Sequence, residues 1–176
     1  MTAPRSICLY TPSVDPSGMG MHMLDLVAAF AGASDVSLMA RDLPAVQWLL
    51  ERATVLGAKT VPLPSPRDSF FGVVISGFLA SHPAEVFHCH VGTGSENWDG
   101  VRLGRDAGCP VVVQTQHLPY ALSSPRKRRA FFRAIEPVDR LIAVSAGLRR
   151  SYERIGVPPE RFSTVPNGIA PVVDRL

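Results

Sequence analysis

Short apolar runs of strand length alternate with longer segments of helical period along the whole chain, and this alternation limits the folds open to it more than any other feature. Ile7-Cys8-Leu9-Tyr10 is the first run, followed by a Pro/Ser/Gly loop through Gly18. From about Gly20 to Phe30 the period changes, and Met23, Val27 and Phe30, with Leu24, Ala28 and Ala31, form one apolar stripe. Val36 to Met39 is a second strand and Ala45 to Leu56 a second helix, closed by Gly57 just past its end. Thr60-Val61 starts a third strand that Pro62 and Pro64 are expected to end. A helix over Phe70 to Leu79 and a strand over Val86 to His90 follow, then a helix capped by Ser95 and stopped by Gly108. Val111 to Thr115 is a β-branched strand, Pro125 to Ile135 a helix with a basic face, and Leu141 to Val144 a strand. Ser145 caps a last helix, which carries Leu148, Tyr152 and Ile155 and ends at Gly156. Phe162 to Val165 is the final strand.

Strands alternating with helices imply parallel strands joined by right-handed crossovers. The expected fold is α/β: a Rossmann-like, doubly wound, mainly parallel sheet of about seven strands with helices on both faces. A chain of 176 residues buries about 70% of its unfolded surface, enough for a substantial core. With 46% hydrophobic and 19% charged residues disorder is excluded, and 14 Gly and 16 Pro spread along the chain exclude a coiled coil. No self-similar period marks a repeat protein. The longest uncharged stretch, Ser69 to Ala84, is too short to cross a membrane and is broken by Gly72, Gly77 and Pro83. After Arg5 the apolar run is only strand-length, so no secretory signal is expected. Cys8, Cys89 and Cys109 are widely spaced in or beside apolar runs and read as buried reduced thiols of a cytoplasmic protein. The net charge of +3 permits anionic partners. Nucleic acid is not among them, because the aromatics sit inside periodic apolar segments rather than among exposed cations.

In such sheets ligands bind beyond the C-terminal strand ends, which directs attention to the loops after Tyr10, His90 and Thr115. Gly18-Met19-Gly20 stands between the first strand and the first helix, where backbone amides and the helix dipole suit a phosphate or diphosphate; the same glycines also suit a plain tight turn. Met23 stands where a dinucleotide fingerprint has its third glycine, which argues against NAD or FAD. That leaves Asp42 as only a nominal ribose ligand. Alternation puts His88 and His90 on one face of their strand and Cys89 on the other. No neighbouring Cys or His completes a zinc set, so no metal is expected and His90 is expected to reach the site at the strand end. Thr115-Gln116-His117 ends the next strand, where a histidine is either structural or placed to touch substrate. Arg126-Lys127-Arg128-Arg129, with Arg133 one turn on, is either a solvated helix face or a surface for anionic lipid or an acceptor phosphate.

Taken together these segments resemble the N-terminal domain of a group-one, retaining glycosyltransferase of the GT-B fold. Gly18-Met19-Gly20-Met21-His22-Met23, running on to Phe30, is similar to that family's glycine loop and first helix. Val86-Phe87-His88-Cys89-His90 resembles its "DVVHAH" strand, and Ala107 to His117 its "A-x-x-G-x-P-V-V-x-T-x-H" segment. Leu141 to Ser145 is similar to "IAVS", Gly156 to Phe162 to "GVPPERI", and Val165-Pro166-Asn167-Gly168-Ile169 to "VIPNGID", with Ala170 in place of the aspartate. The resemblance implies an acceptor-side domain over residues 1–168 and the start of an interdomain linker over 169–176. A C-terminal nucleotide-sugar domain, with a spaced pair of glutamates, has no counterpart in this chain. It implies transfer of a hexosyl or related sugar from a nucleotide-sugar, itself the substrate, with no bound metal or other cofactor. Amides at Gly18, Met19 and Gly20 would meet the donor phosphates, and His117 would lie beside the transferred sugar. His90, Thr115 and Arg126 would serve the acceptor, a small molecule or lipid. The basic segment Arg126 to Arg133 would touch the inner face of a membrane peripherally, and the isolated domain would be inactive. The competing expectation is a stand-alone Rossmann-like module that binds an anionic small molecule without catalysis.

Overall fold

A computed structural model describes residues 4–92, 99–121 and 124–168. Seven strands and six helices alternate in it. They are β1 (Ser6–Tyr10), α1 (Ser17–Phe30), β2 (Asp35–Arg41), α2 (Pro44–Val55), β3 (Lys59–Leu63), α3 (Phe70–Ser81) and β4 (Val86–Val91). Then come α4 (Asp99–Asp106), β5 (Val111–Gln116), α5 (Pro125–Ala134), β6 (Arg140–Ala143), α6 (Ala146–Glu153) and β7 (Phe162–Thr164). The strands form one sheet in the order β3-β2-β1-β4-β5-β6-β7, every pair parallel. The expected Rossmann-like fold is therefore the observed one. The strand order reverses between β1 and β4: Ile7 pairs with Val36 on one side and with Val86 on the other. That reversal opens a crevice at the C-terminal ends of β1 and β4, where the two directions of winding diverge.

Local chemistry explains the boundaries. Gly57, Gly108 and Gly156 all have φ between +89° and +96°, the left-handed conformation that stops a helix at little steric cost. Pro44 and Pro125 occupy first helical turns, where a missing N–H costs nothing. The Ser145 hydroxyl accepts from Leu148 N at 3.1 Å, the expected cap of α6. Two boundaries differ from expectation. Pro62 does not end β3 but lies within it, opposite Ala40, because β3 is an edge strand and a proline there forfeits no ladder bond. Helix α1 begins at Ser17 rather than near Gly20, drawing the glycine segment into its first turn. The expected Ser95 cap and the linker over 169–176 lie outside the described residues.

Alternation along the strands feeds two cores. Ile7, Leu9, Val36, Leu38 and Ala40 face α1 and α2, meeting Met23, Val27, Leu49 and Ala53. On the other side Cys8, Tyr10, Phe87, Cys89 and Val112 meet residues of α3 to α6, among them Ile75, Phe131 and Tyr152. All three cysteines are buried and unbridged. Burial pushes the Cys8 thiol up to about 12, and that of Cys109 upward as well, so neither is an available nucleophile. Among the described residues no helix is long and apolar enough to cross a membrane.

Candidate functional site

Four of the five histidines of the chain converge at the crevice. Strand alternation turns His88 and His90 to the same face of β4, and their rings lie 4.1 Å apart, centroid to centroid. His88 Nε2 is 2.7 Å from Thr115 Oγ1 on β5, the neighbouring strand. His117 follows β5 and is held in place by its backbone N–H, which donates to the Val91 carbonyl at 3.0 Å. Its ring Nε2 is 3.1 Å from His90 Nδ1. From above, α1 brings His22, whose ring lies 5.2 Å from that of His117 and 5.6 Å from that of His90.

Burial governs the chemistry of this cluster. It lowers His90 well below the ordinary imidazole value, and the surrounding imidazoles add to the effect. His88 is depressed to about 3 and His117 to about 4, by burial first and by their histidine neighbours second. Burial also lowers His22, against the opposing pull of Asp25. All four are neutral at pH 7. The cluster can relay hydrogen bonds and offer lone pairs, but it does not act as a cation.

Beside His117 lies a cavity of about 340 Å³, lined also by Asp15, Ser17, Gly18, Met19 and Asn167, among others. Here Ser17, Gly18 and Met19 open α1, and their N–H groups have no carbonyl one turn back to bond. Pro16 and Ser17 turn the chain sharply into the helix, with Ser17 at φ +33°, a left-handed value that costs a non-glycine residue on the order of 1–3 kcal/mol. Such strain persists where the surrounding structure over-determines it, as at ligand sites.

The expected site residues divide on this geometry. Gly18 and Met19 line the cavity. Gly20 is not among the residues lining it, and its N–H donates to the Pro16 carbonyl at 2.9 Å, inside the helix. A Cβ at Gly20 would lie 2.7 Å from the Trp48 ring of α2, so the absence of a side chain here lets the two helices pack closely. His117 lines the cavity and is partly exposed. His90 and Thr115 are fully buried beneath it, where they bear on the orientation of His117 and His88 rather than on solvent. Arg126 is exposed on α5 and is not among the residues described as lining this cavity. Sequence spacing shows neither His22 nor Asn167 as a site residue. The available signal was topological: both stand on segments that emerge at the same rim as His90 and His117.

The family described as Glycosyltransferase Family 4 matches residues 16–172. No curated protein matches the chain in sequence. Among solved structures it is similar to HepE of Anabaena in complex with UDP-glucose (TM-score 0.68, 13% identity, 93% of this chain and 44% of that one). It is also similar to the lipopolysaccharide outer core galactosyltransferase WaaB in its apo form (TM-score 0.62, 14% identity, 93% and 46%). A third is a glycosyltransferase from Rickettsia africae (TM-score 0.71, 11% identity, 94% and 44%). At these identities the likeness is one of fold. The chain spans less than half the length of each.

Proposed function

Because the chain belongs to Glycosyltransferase Family 4, we propose that residues 1–168 are the N-terminal, acceptor-side domain of a retaining enzyme that moves a hexosyl or related sugar from a nucleotide-sugar to an acceptor. The observation that carries this reading is the cavity, which sets the first-turn amides of α1 beside the neutral imidazole of His117. Glycosyl transfer must stabilise a departing diphosphate, and fixed dipoles aimed at the developing charge do so without reorganising. Ser17, Gly18 and Met19 supply three such N–H groups with the positive end of the helix dipole behind them. His117, uncharged, lies beside the sugar as a hydrogen-bonding group whose orientation is fixed by His90. The balancing cations belong to a second, nucleotide-sugar domain, and a linker from residue 169 joins the two. That HepE has been solved with UDP-glucose supports a nucleotide-sugar as donor.

On the outer side, Arg126, Lys127, Arg129 and Arg133 are exposed on α5 and suit an anionic acceptor or the membrane face that bears it. The three unbridged thiols accord with a cytoplasmic location. The isolated domain is inactive in this reading, because the groups holding the donor lie outside it.

The test is His117→Ala in the two-domain enzyme, with turnover and thermal unfolding measured together. Turnover is expected to fall at least tenfold with little change in the melting temperature. Unchanged turnover would assign His117 to packing and remove the reading of the cavity.

A further inference from the structure

We propose that Tyr152 of α6 is a positioning residue, whose hydroxyl holds the chain on both sides of His117 and so seats that imidazole beside the cavity. Its role rests on the place that the proposed transfer gives His117. Tyr152 OH donates to Gln116 Oε1 at 2.8 Å and to the Leu118 carbonyl at 3.1 Å, the residues immediately before and after His117. One residue back on the helix, the Ser151 hydroxyl accepts from Tyr120 N at 2.9 Å and donates to the Leu148 carbonyl at 2.7 Å. From the opposite side the end of β4 takes hold of the same turn. There the His117 N–H donates to the Val91 carbonyl at 3.0 Å, and the Leu118 N–H to that of Gly92 at 3.2 Å. His117 is thus clasped between a strand end and a helix, with its ring Nε2 set 3.1 Å from His90 Nδ1.

Packing aims the hydroxyl. Tyr152 is completely buried, with the rings of Phe131, Tyr120 and Phe162 at 5.5, 5.7 and 5.9 Å, centroid to centroid, so α5, the turn itself and β7 all bear on it. For that packing a phenylalanine would serve equally well. A hydroxyl in a core costs free energy unless it is bonded, and this one shares its single proton between two oxygens that flank one residue. Gln116 is completely buried as well, so without the hydroxyl its amide oxygen would lose this partner where solvent does not reach. The bond to Gln116 fixes the end of β5, and the bond to Leu118 fixes the direction in which the chain leaves it. With both neighbours held, the backbone of His117 has little freedom, and its ring is preorganised rather than recruited. In the sequence Tyr152 is one more apolar position of α6. Its reach to His117 follows from the pairing of β5 with β6, which brings the helix after β6 beside the end of β5.

The test is a double-mutant cycle in the two-domain enzyme with Tyr152→Phe, which keeps the ring and removes one oxygen. Tyr152→Phe should lower kcat by about fivefold or more, since misplacing a group at the reacting centre by about 1 Å costs on the order of a hundredfold. In the His117→Ala background the same substitution should change kcat by less than about twofold, because the group it acts through is gone. Hydrogen exchange read by mass spectrometry adds a measure that needs no substrate. In Tyr152→Phe the segment from Gln116 to Tyr120 should exchange about tenfold faster, with β1 and β2 unchanged. Equal losses of kcat in both backgrounds, or faster exchange spread evenly over the sheet, would mean that the hydroxyl merely stabilises the fold, and would overturn the proposal. So would an unchanged kcat for Tyr152→Phe in an enzyme that His117→Ala impairs. Should His117→Ala leave turnover intact, the transfer reading falls, and the exchange pattern alone decides whether Tyr152 holds the turn.

Discussion

Residue 104 shows how one atom can decide the position of a helix. A Cβ on Gly104 would lie 2.6 Å from Phe87 Cγ and within 2.9 Å of two further ring atoms, all of them deep in the core. Helix propensity alone favours Gly104→Ala by about 0.5–1 kcal/mol. Overpacking opposes it at about 1–3 kcal/mol. The packing should win, so urea unfolding is expected to show Gly104→Ala destabilised, and a stabilised variant would mean that α4 can retreat from the sheet. The sequence shows Gly104 only as a small residue in a helix, because its role depends on a ring on a strand distant in sequence. The same holds at the site. His90 and His117 are legible from their places at strand ends, but His22 reads as one more residue of an amphipathic helix until the sheet order puts α1 over β4. Conversely, the glycines read as a phosphate loop sit inside α1, and Gly20 answers to Trp48.

Among the elements, α4 and β6 are tied by a joint that few sequence rules would find. Arg105, near the end of α4, donates to the carbonyls of Cys109, Pro110 and Pro137 at 2.9–3.1 Å and also bonds the Asp139 carboxylate. Asp139 in turn accepts from Val112 N at 2.7 Å, which clamps the start of β5. Partial burial pulls the Asp139 carboxyl up, but the bonds from Val112 and Arg105 outweigh it and hold the group below its ordinary value. The sign follows: the folded state binds this proton more weakly than the unfolded chain does. The contribution is therefore complete above about pH 4 and is lost as the pH falls further. Because the side chain is 50% exposed, Asp139→Asn should cost only about 1 kcal/mol at pH 7. That deficit should close as thermal melts are repeated below about pH 4, and a deficit constant with pH would remove the carboxylate's charge from the account. Strand and helix boundaries were largely legible at this scale because caps, stop glycines and apolar period are local. The start of α1 and the length of β3 were not, because they depend on a strained turn and on an edge position.

The whole molecule has two cores but one sheet between them. Leu49 belongs to the α1/α2 side and Phe131 to the α3–α6 side, and both are completely buried. Leu49→Ala should cost about 2–5 kcal/mol and Phe131→Ala about 3–5 kcal/mol. Since every central strand lends alternate residues to each side, both substitutions should shift the same single unfolding transition, seen alike by far-ultraviolet circular dichroism and by tryptophan fluorescence. Two separated transitions would show that the halves of the sheet unfold independently. The doubly wound order itself was legible from strand–helix alternation, since parallel pairing and crossover handedness leave few alternatives.

The reversal of strand order between β1 and β4 also sets a timetable for synthesis. Ile7 meets Val36 early, but its other edge waits for Val86. At about 5–20 residues per second a ribosome needs about 2.5–10 s to go from Val36 to Val86. Throughout that interval β1, apolar from Ile7 to Tyr10, presents one unpaired edge in the middle of what will become the sheet. The nascent chain is most vulnerable to wrong pairing, and most dependent on whatever shields it, before α3 and β4 emerge.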